Sequence, residues 1–316
     1  MDESEVLLVV TKKPMRLRVK KDLRMYGGAY IMLMIVLAYY IIFHYTPMFG
    51  AVIAFKDFKP RLGIWGSKWV GWKNFESFFS SYYFWRLIKN TLTISISGLV
   101  FTFPCAIIFA LSVNEVHHNG FKRTVQTISY MPHFISLIVV CSMINLFVDS
   151  NGVITQVMKL MGYQGTGSLL GQSSMFVPIY VISDIWQQTG WNCIIYLAAF
   201  ASIDTALYEA ARIDGAGRLR QTIHVTLPGI ARTIILLLIL RIGQMMSVGH
   251  EKIILLYNDF TMETADVISS YVYRRGLVNG DYSFSTAVGL FNSAINFLLV
   301  IFANKISNAV TGYGIW

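Results

Sequence analysis

Ile203-Asp204-Thr205-Ala206-Leu207-Tyr208-Glu209-Ala210-Ala211-Arg212-Ile213-Asp214-Gly215-Ala216-Gly217, continuing through Arg218 to Leu227-Pro228, is a polar interruption between two long apolar runs. Asp204 or Thr205 can cap a short helix, and Glu209, Ala210 and Ala211 are good helix formers in its middle. Gly215 and Gly217 then permit a backbone reversal that a residue with a Cβ would resist. Pro228 opens the next apolar run, where its missing N–H costs little. The stretch therefore reads as a helix, a glycine turn and a second short helix. Such an elbow, joined rigidly to an apolar run on each side, is suited to receiving a push from a soluble partner.

Working outward, the apolar runs set the class. The chain has 316 residues, of which 55% are hydrophobic and only 14% charged, with a mean hydropathy of +0.54. Soluble domains carry about 25% charged residues, so too little charge remains here to coat a water-facing surface. Disorder, collagen and disulfide scaffolds are excluded by the apolar content, the lack of a Gly period and the three scattered cysteines. Crossing the hydrocarbon core takes about 20 mostly apolar residues. Six such runs emerge, near Gly28–Pro47, Asn90–Val113, Val125–Val148, Met175–Ala201, Ile230–Val248 and Ser285–Ile306. The expectation is an all-α polytopic membrane protein with six transmembrane helices. It has a basic tail over 1–27, a helical domain over 28–306 carrying the 203–228 loop, and a short tail over 307–316. Pro104, Pro132 and Pro178 fall inside the second to fourth runs and predict kinks.

The net charge is +9. Its distribution between apolar runs points to membrane topology rather than nucleic-acid binding. Lys12, Lys13, Arg16, Arg18, Lys20, Lys21 and Arg24 abut the first run, which sets both termini and the 203–228 loop in the cytoplasm. The apolar run behind them is too long for a cleaved signal peptide and lacks a small-residue cleavage site.

At Glu209-Ala210-Ala211, Gly215, Val225 and Leu227-Pro228 the chain resembles the permease subunits of binding-protein-dependent ABC importers. Their shared cytoplasmic signature has this spacing throughout, with Thr222 standing where many relatives have an aromatic. Trp69-Val70-Gly71-Trp72-Lys73-Asn74-Phe75 and Asn90-Thr91-Leu92 look like carbohydrate-importing members. Tyr130-Met131-Pro132-His133-Phe134-Ile135-Ser136, Ser183-Asp184-Ile185-Trp186, Ala265-Asp266-Val267-Ile268 and Tyr282-Ser283-Phe284 look like the branch importing oligosaccharides and polysaccharide fragments. The resemblance implies the type I importer permease fold, similar to maltose permease, in a bacterial inner membrane. It implies a second permease subunit, a cytoplasmic ATPase dimer that binds Mg-ATP, and an extracytoplasmic solute-binding protein. It also implies that Glu209, Ala210, Ala211, Asp214, Gly215, Leu227 and Pro228 dock as a coupling helix on the ATPase.

The chain's own residues agree with a subunit that does not hydrolyse ATP. No Gly-Lys pair exists, so no phosphate-cradling loop of the common kind can form. Signatures of hydrolases and metalloenzymes are likewise missing, and no cofactor or metal is expected on this chain.

A charge at mid-bilayer costs about 2.5–3.5 kcal/mol on insertion scales and usually faces the bundle interior. Asp184 and Arg241 lie nine and eleven residues into the fourth and fifth runs, so at 1.5 Å per residue both sit roughly 14–17 Å deep. They are expected to pair or to share a water-filled cavity, either as a structural ion pair or as substrate contacts. Asp184, Gln188 and Asn192 recur every four residues, with Gln187 and Trp191 beside them; Gln244, Asn292 and Asn296 add amides on the fifth and sixth runs. These suit sugar hydroxyls, with Trp191 or Trp186 to stack on a pyranose face; they equally suit helix-to-helix bonding. Outside the membrane, the aromatic residues from Trp65 to Trp85 fit an interfacial helix or a surface that receives a binding protein, and acidic Glu251–Asp281 is the other candidate docking surface. A self-sufficient secondary transporter for a polar solute is the alternative, although no convincing internal repeat is present.

Overall fold

The computed structural model describes residues 15–316, and these are predominantly helical, with a single short antiparallel pairing of Lys56–Asp57 with Lys68–Trp69. They fall into two compact units that divide at Val52 and Ile53. Lys12 and Lys13 of the expected tail lie outside the described residues.

In the first unit the helix begins at Met15, well inside the stretch read as tail, and bends at Tyr26 (φ −120°, ψ 20°). From Met25 onward the helical run reaches Phe55 and is long and apolar enough to cross a membrane. Its apolar side chains from Met25 to Phe49 are exposed, whereas Ala54, already in the second unit, is buried.

In the second unit Phe84–Asn114, Leu137–Leu160 and Tyr282–Thr311 also meet that test, and two bent helix pairs raise the total from four to as many as six crossings. The six expected runs are thus all helical, but two are not single helices. The run expected over Val125–Val148 breaks. A helix over Asn119–Phe134 ends just after Pro132, Ile135 turns extended (ψ 135°), and a new helix starts at Leu137. The run expected over Ile230–Val248 is helical only from Ala231 to Ile242, after which Gly243 opens a turn and the chain resumes as a short helix, His250–Leu256. Pro178, by contrast, sits within an unbroken helix, Ser173–Phe200.

The segment before the second span divides the aromatic residues that suggested one interfacial helix. Phe75 and Phe78 are buried, and Phe78 packs with Leu87, Ile268 and Phe284, whereas Trp65, Tyr82 and Trp85 face outward. The difference follows from the Lys73–Phe79 helix, which turns one aromatic face onto the sixth span.

Acidic residues between the fifth and sixth spans are also partly spent internally. Asp266 is fully buried and accepts from Arg274 Nη1 (2.9 Å) and Nη2 (2.6 Å), with Ser270 Oγ at 2.7 Å and Arg86 Nη2 at 3.9 Å. Asn90 Nδ2 donates to the Glu263 and Asp266 carbonyls, so this segment is clamped onto the second span. Burial opposes the Arg274 charge, but the hydrogen bonds and charge of Asp266 overcome that and hold its pKa above the ordinary value. Asp281 caps the sixth-span helix through Phe284 N and pairs with Arg275 at 3.1 Å. The expected docking surface therefore retains Glu251, Asp259 and Glu263.

Replacing Arg274 with Met strands a buried carboxylate, a loss of about 3–5 kcal/mol for broken buried pairs. Arg275→Met breaks an exposed pair worth about 0–1 kcal/mol. Thermal unfolding of the purified protein should fall clearly for the first variant and little for the second; equal shifts would remove Asp266 as the anchor of this segment.

Candidate functional site

The Ser173–Phe200 helix sets Asp184, Gln188 and Asn192 on one face by their spacing of four. Together with Arg241, Gln244 and Thr102 they line a cavity of about 380 Å³. An adjoining cavity of about 130 Å³ shares Asp184, Arg241 and Gln244 and extends past Tyr180 toward Gly249. Gln244 reaches both cavities from the turn after Ile242, not from a helix shared with Arg241.

Asp184 and Arg241 line the same two cavities, but the ion pair that Asp184 makes is with Lys252, Nζ to Oδ1 at 3.8 Å. The early end of the fifth-span helix is the reason, because the chain folds back as His250–Leu256 and carries Lys252 inward. Lys252 is 6% exposed; its ammonium also donates to the Tyr180 carbonyl (3.3 Å) and lies 4.5 Å from the Tyr180 ring centroid. Arg241 forms no ion pair among the described residues. Its guanidinium lies where a Cβ on Gly98 would come within 3.2 Å of Nη2, so that glycine leaves room for it.

The remaining expected site residues separate. Gln187 is buried, and Trp191 lies outside both cavities, with one face stacked on His133 at 4.4 Å and 3°. His133 Nδ1 also meets Gln188 Oε1 at 3.0 Å. Trp186 lines a separate apolar groove with Val140, Phe147 and Pro178. Asn296 bonds helix to chain, accepting from Met246 N (3.0 Å) and donating to Ser247 Oγ (2.8 Å). Asn292 leaves its buried Oδ1 without a partner. Lys252 and His133 were not assigned to the site from sequence. Lys252 falls within the acidic stretch Glu251–Asp281 outside the apolar runs, while His133 stands inside an apolar run next to Pro132, a placement that marks it.

The elbow has the form its residues suggest. Asp204 Oδ1 accepts from Ala206 N at 2.9 Å and caps Thr205–Ile213. Gly215 takes φ +73°, and Ala216 N donates back to Ala211 O at 2.9 Å, closing the helix end. A helix over Arg218–Gln221 and a wider π turn over Thr222–Thr226 then lead to Leu227 and Pro228. Tyr208 Oη and Thr226 Oγ1 bond across the elbow at 3.0 Å. Glu209, Ala210 and Asp214 are exposed and Ala211 half-buried, beside Leu207, Ile213 and Leu219, whose apolar side chains lie open at 53%, 87% and 75%. Exposed apolar residues around a charge are what a protein partner would cover.

Residues 102–312 match the family described as binding-protein-dependent transport system inner membrane component. Protein LplB of Bacillus subtilis is 44% identical over 91% of this chain and 90% of its own length. The polygalacturonan/rhamnogalacturonan transport system permease protein YteP of the same organism is 43% identical over 98% of this chain and 96% of its own. Among solved structures, a bacterial ABC transporter involved in import of the acidic polysaccharide alginate is similar, with a TM-score of 0.84 and 43% identity. That match covers 93% of this chain and 99% of the other. A bacterial alginate ABC transporter in complex with an alginate pentasaccharide-bound periplasmic protein gives a TM-score of 0.85 at 42% identity, covering 94% and 100%.

Gly215→Ala puts a Cβ at φ +73°, a left-handed conformation costing roughly 1–2 kcal/mol for L residues. Gly217→Ala sits at φ −66° and is tolerated. Amide exchange at Gly215 and Ala216 should speed up in the first variant only; similar exchange in both would remove Gly215 as the pivot.

Proposed function

The chain belongs to the inner-membrane components of binding-protein-dependent transport systems, and from that premise we propose that it is one of two pore-forming permeases of an ATP-driven importer of acidic oligosaccharides. Dependence on a separate binding protein is the family's defining property, and it argues against the self-sufficient secondary transporter.

Arg241 carries the substrate reading. The carboxylate in its cavities is held by Lys252, so Arg241 is a cation in a polar, partly enclosed space without an ion-pair partner among the described residues. A guanidinium held this way binds a carboxylate through parallel N–H···O bonds. Gln188, Asn192 and Gln244 supply donors and acceptors for hydroxyls on the same walls. The names of the similar proteins, one for polygalacturonan and one for alginate, agree with a uronic acid polymer fragment as cargo.

The elbow faces the cytoplasm with both termini and meets an ATPase, which alone holds Mg-ATP. Glu209 is the charge in that contact, and Leu207, Ile213 and Leu219 supply apolar area around it. A loaded binding protein meets the opposite side, near Glu251, Asp259 and Glu263, and a second permease completes the pore. Hydrolysis couples to transport only if the elbow binds the ATPase differently in the two pore states.

ATPase stimulation of the reconstituted complex, read across neutral and uronic acid oligosaccharides delivered by the binding protein, tests the cargo. Uronic acid oligomers should stimulate and neutral ones should not; stimulation by neutral glycans alone would reject the acidic reading. Glu209→Arg should abolish uptake with unchanged membrane insertion, and normal uptake in that variant would reject the docking role.

A further inference from the structure

Two opposite charges face the cavity, and a third, Lys252, reaches one of them from behind its wall. Asp184 and Arg241 both line the two adjoining cavities. Left to themselves, a carboxylate and a guanidinium facing one partly dehydrated space attract strongly, and a paired Arg241 would offer nothing to an anion. Lys252 intervenes. It reaches Asp184 from the folded-back helix His250–Leu256 and is itself nearly inaccessible. Its remaining contacts are with the carbonyl and ring of Tyr180, neither of which is anionic, so Asp184 is the one carboxylate that compensates it among the described residues.

We infer that Lys252 is a specificity-determining residue, which by holding Asp184 keeps Arg241 open for a carboxylate of the transported sugar. It does not touch the sugar; it acts through Asp184, as a positioning residue. The inference rests on the reading of the cargo as acidic. With Lys252 present, the group of three carries one surplus positive charge, located on Arg241. Without it, Asp184 and Arg241 neutralise each other, and the cavity becomes fit for a neutral sugar. Removing Asp184 together with Lys252 returns the surplus charge to Arg241. Charge accounting therefore makes an unusual forecast, that a second loss repairs the first.

The test uses vesicles holding the full importer, with both permeases and the ATPase. The binding protein is saturated with each sugar so that its own affinity drops out of the rates. The probes are trigalacturonate and its carboxyl-reduced neutral counterpart. Lys252→Met preserves side-chain length and should lower the acidic-to-neutral uptake ratio by about tenfold or more, the lower end of the coupling between close charge pairs. Lys252→Met with Asp184→Asn should restore the ratio to near that of the unaltered chain. A wild-type ratio in Lys252→Met, or a double variant as indiscriminate as the single one, would overturn the inference. If the unaltered importer itself takes up both probes equally, the acidic-cargo reading falls, and this inference with it; if it prefers the acid but the variants do not follow the forecast, only this inference falls.

Discussion

Hydrocarbon offers no hydrogen bonds, so each backbone donor and acceptor in a span needs a partner within the protein, and this requirement shapes the bundle. Proline removes a donor where one is needed. At three prolines the chain compensates in the same way. Five-residue π turns over Ile41–Tyr45, Gly98–Thr102 and Thr222–Thr226 each end two residues before Pro47, Pro104 and Pro228. In each, the residue just ahead of the proline bonds back five positions: Thr46 to Ile41, Phe103 to Gly98, Leu227 to Thr222. The helical path continues through each wider turn and past the proline that follows it. At Pro132 no such turn precedes the proline and the helix stops within a few residues, whereas the helix at Pro178 runs on from its first two turns to Phe200 without one.

The repairs matter to the site because they fall beside it. The π turn at Gly98–Thr102 carries both the glycine that admits the Arg241 guanidinium and a cavity-lining threonine whose hydroxyl is buried without a partner. In the same turn the Gly98 carbonyl accepts from Phe103 N, five positions on. The local widening of the backbone and the polar wall of the cavity thus fall on the same five residues.

Patterns confined to one stretch of chain were legible in the sequence, and pairings between distant stretches were not. The elbow's cap and turn involve neighbours a few positions apart, so Asp204 and Gly215 announce themselves. The apolar runs likewise need only composition. Asp184 and Arg241 could be matched by depth because each lies in a continuous helix as far as the residue itself, and both line the same cavities; what lies beyond Arg241 was not legible. Once the fifth helix ends at Ile242, the return of His250–Leu256 decides which cation meets Asp184, and no local pattern encodes that. Asp266 illustrates the same limit. Its acidity suggested a surface, but Arg274 and Asn90, eight and 176 positions away, draw it and its carbonyl inward.

The fifth span then joins the two functional regions mechanically. Its twelve helical residues from Ala231 to Ile242 span about 18 Å at 1.5 Å per residue. At one end, Tyr208 bonds to Thr226 and ties the segment entering this helix to the elbow. At the other, Asn296 holds Met246 and Ser247 just beyond Arg241. Asp184 belongs to a different helix, which meets the elbow from the other side through a 77° bend, whereas the fifth span enters through one of 62°. A displacement of the elbow therefore acts on two levers with separate pivots, one carrying Asp184 and the other Arg241. Unless they turn in unison, the distance between these groups changes, and with it the room available to a bound carboxylate. Arg241, the group proposed to meet the cargo, is mounted where a push on the elbow would alter its surroundings.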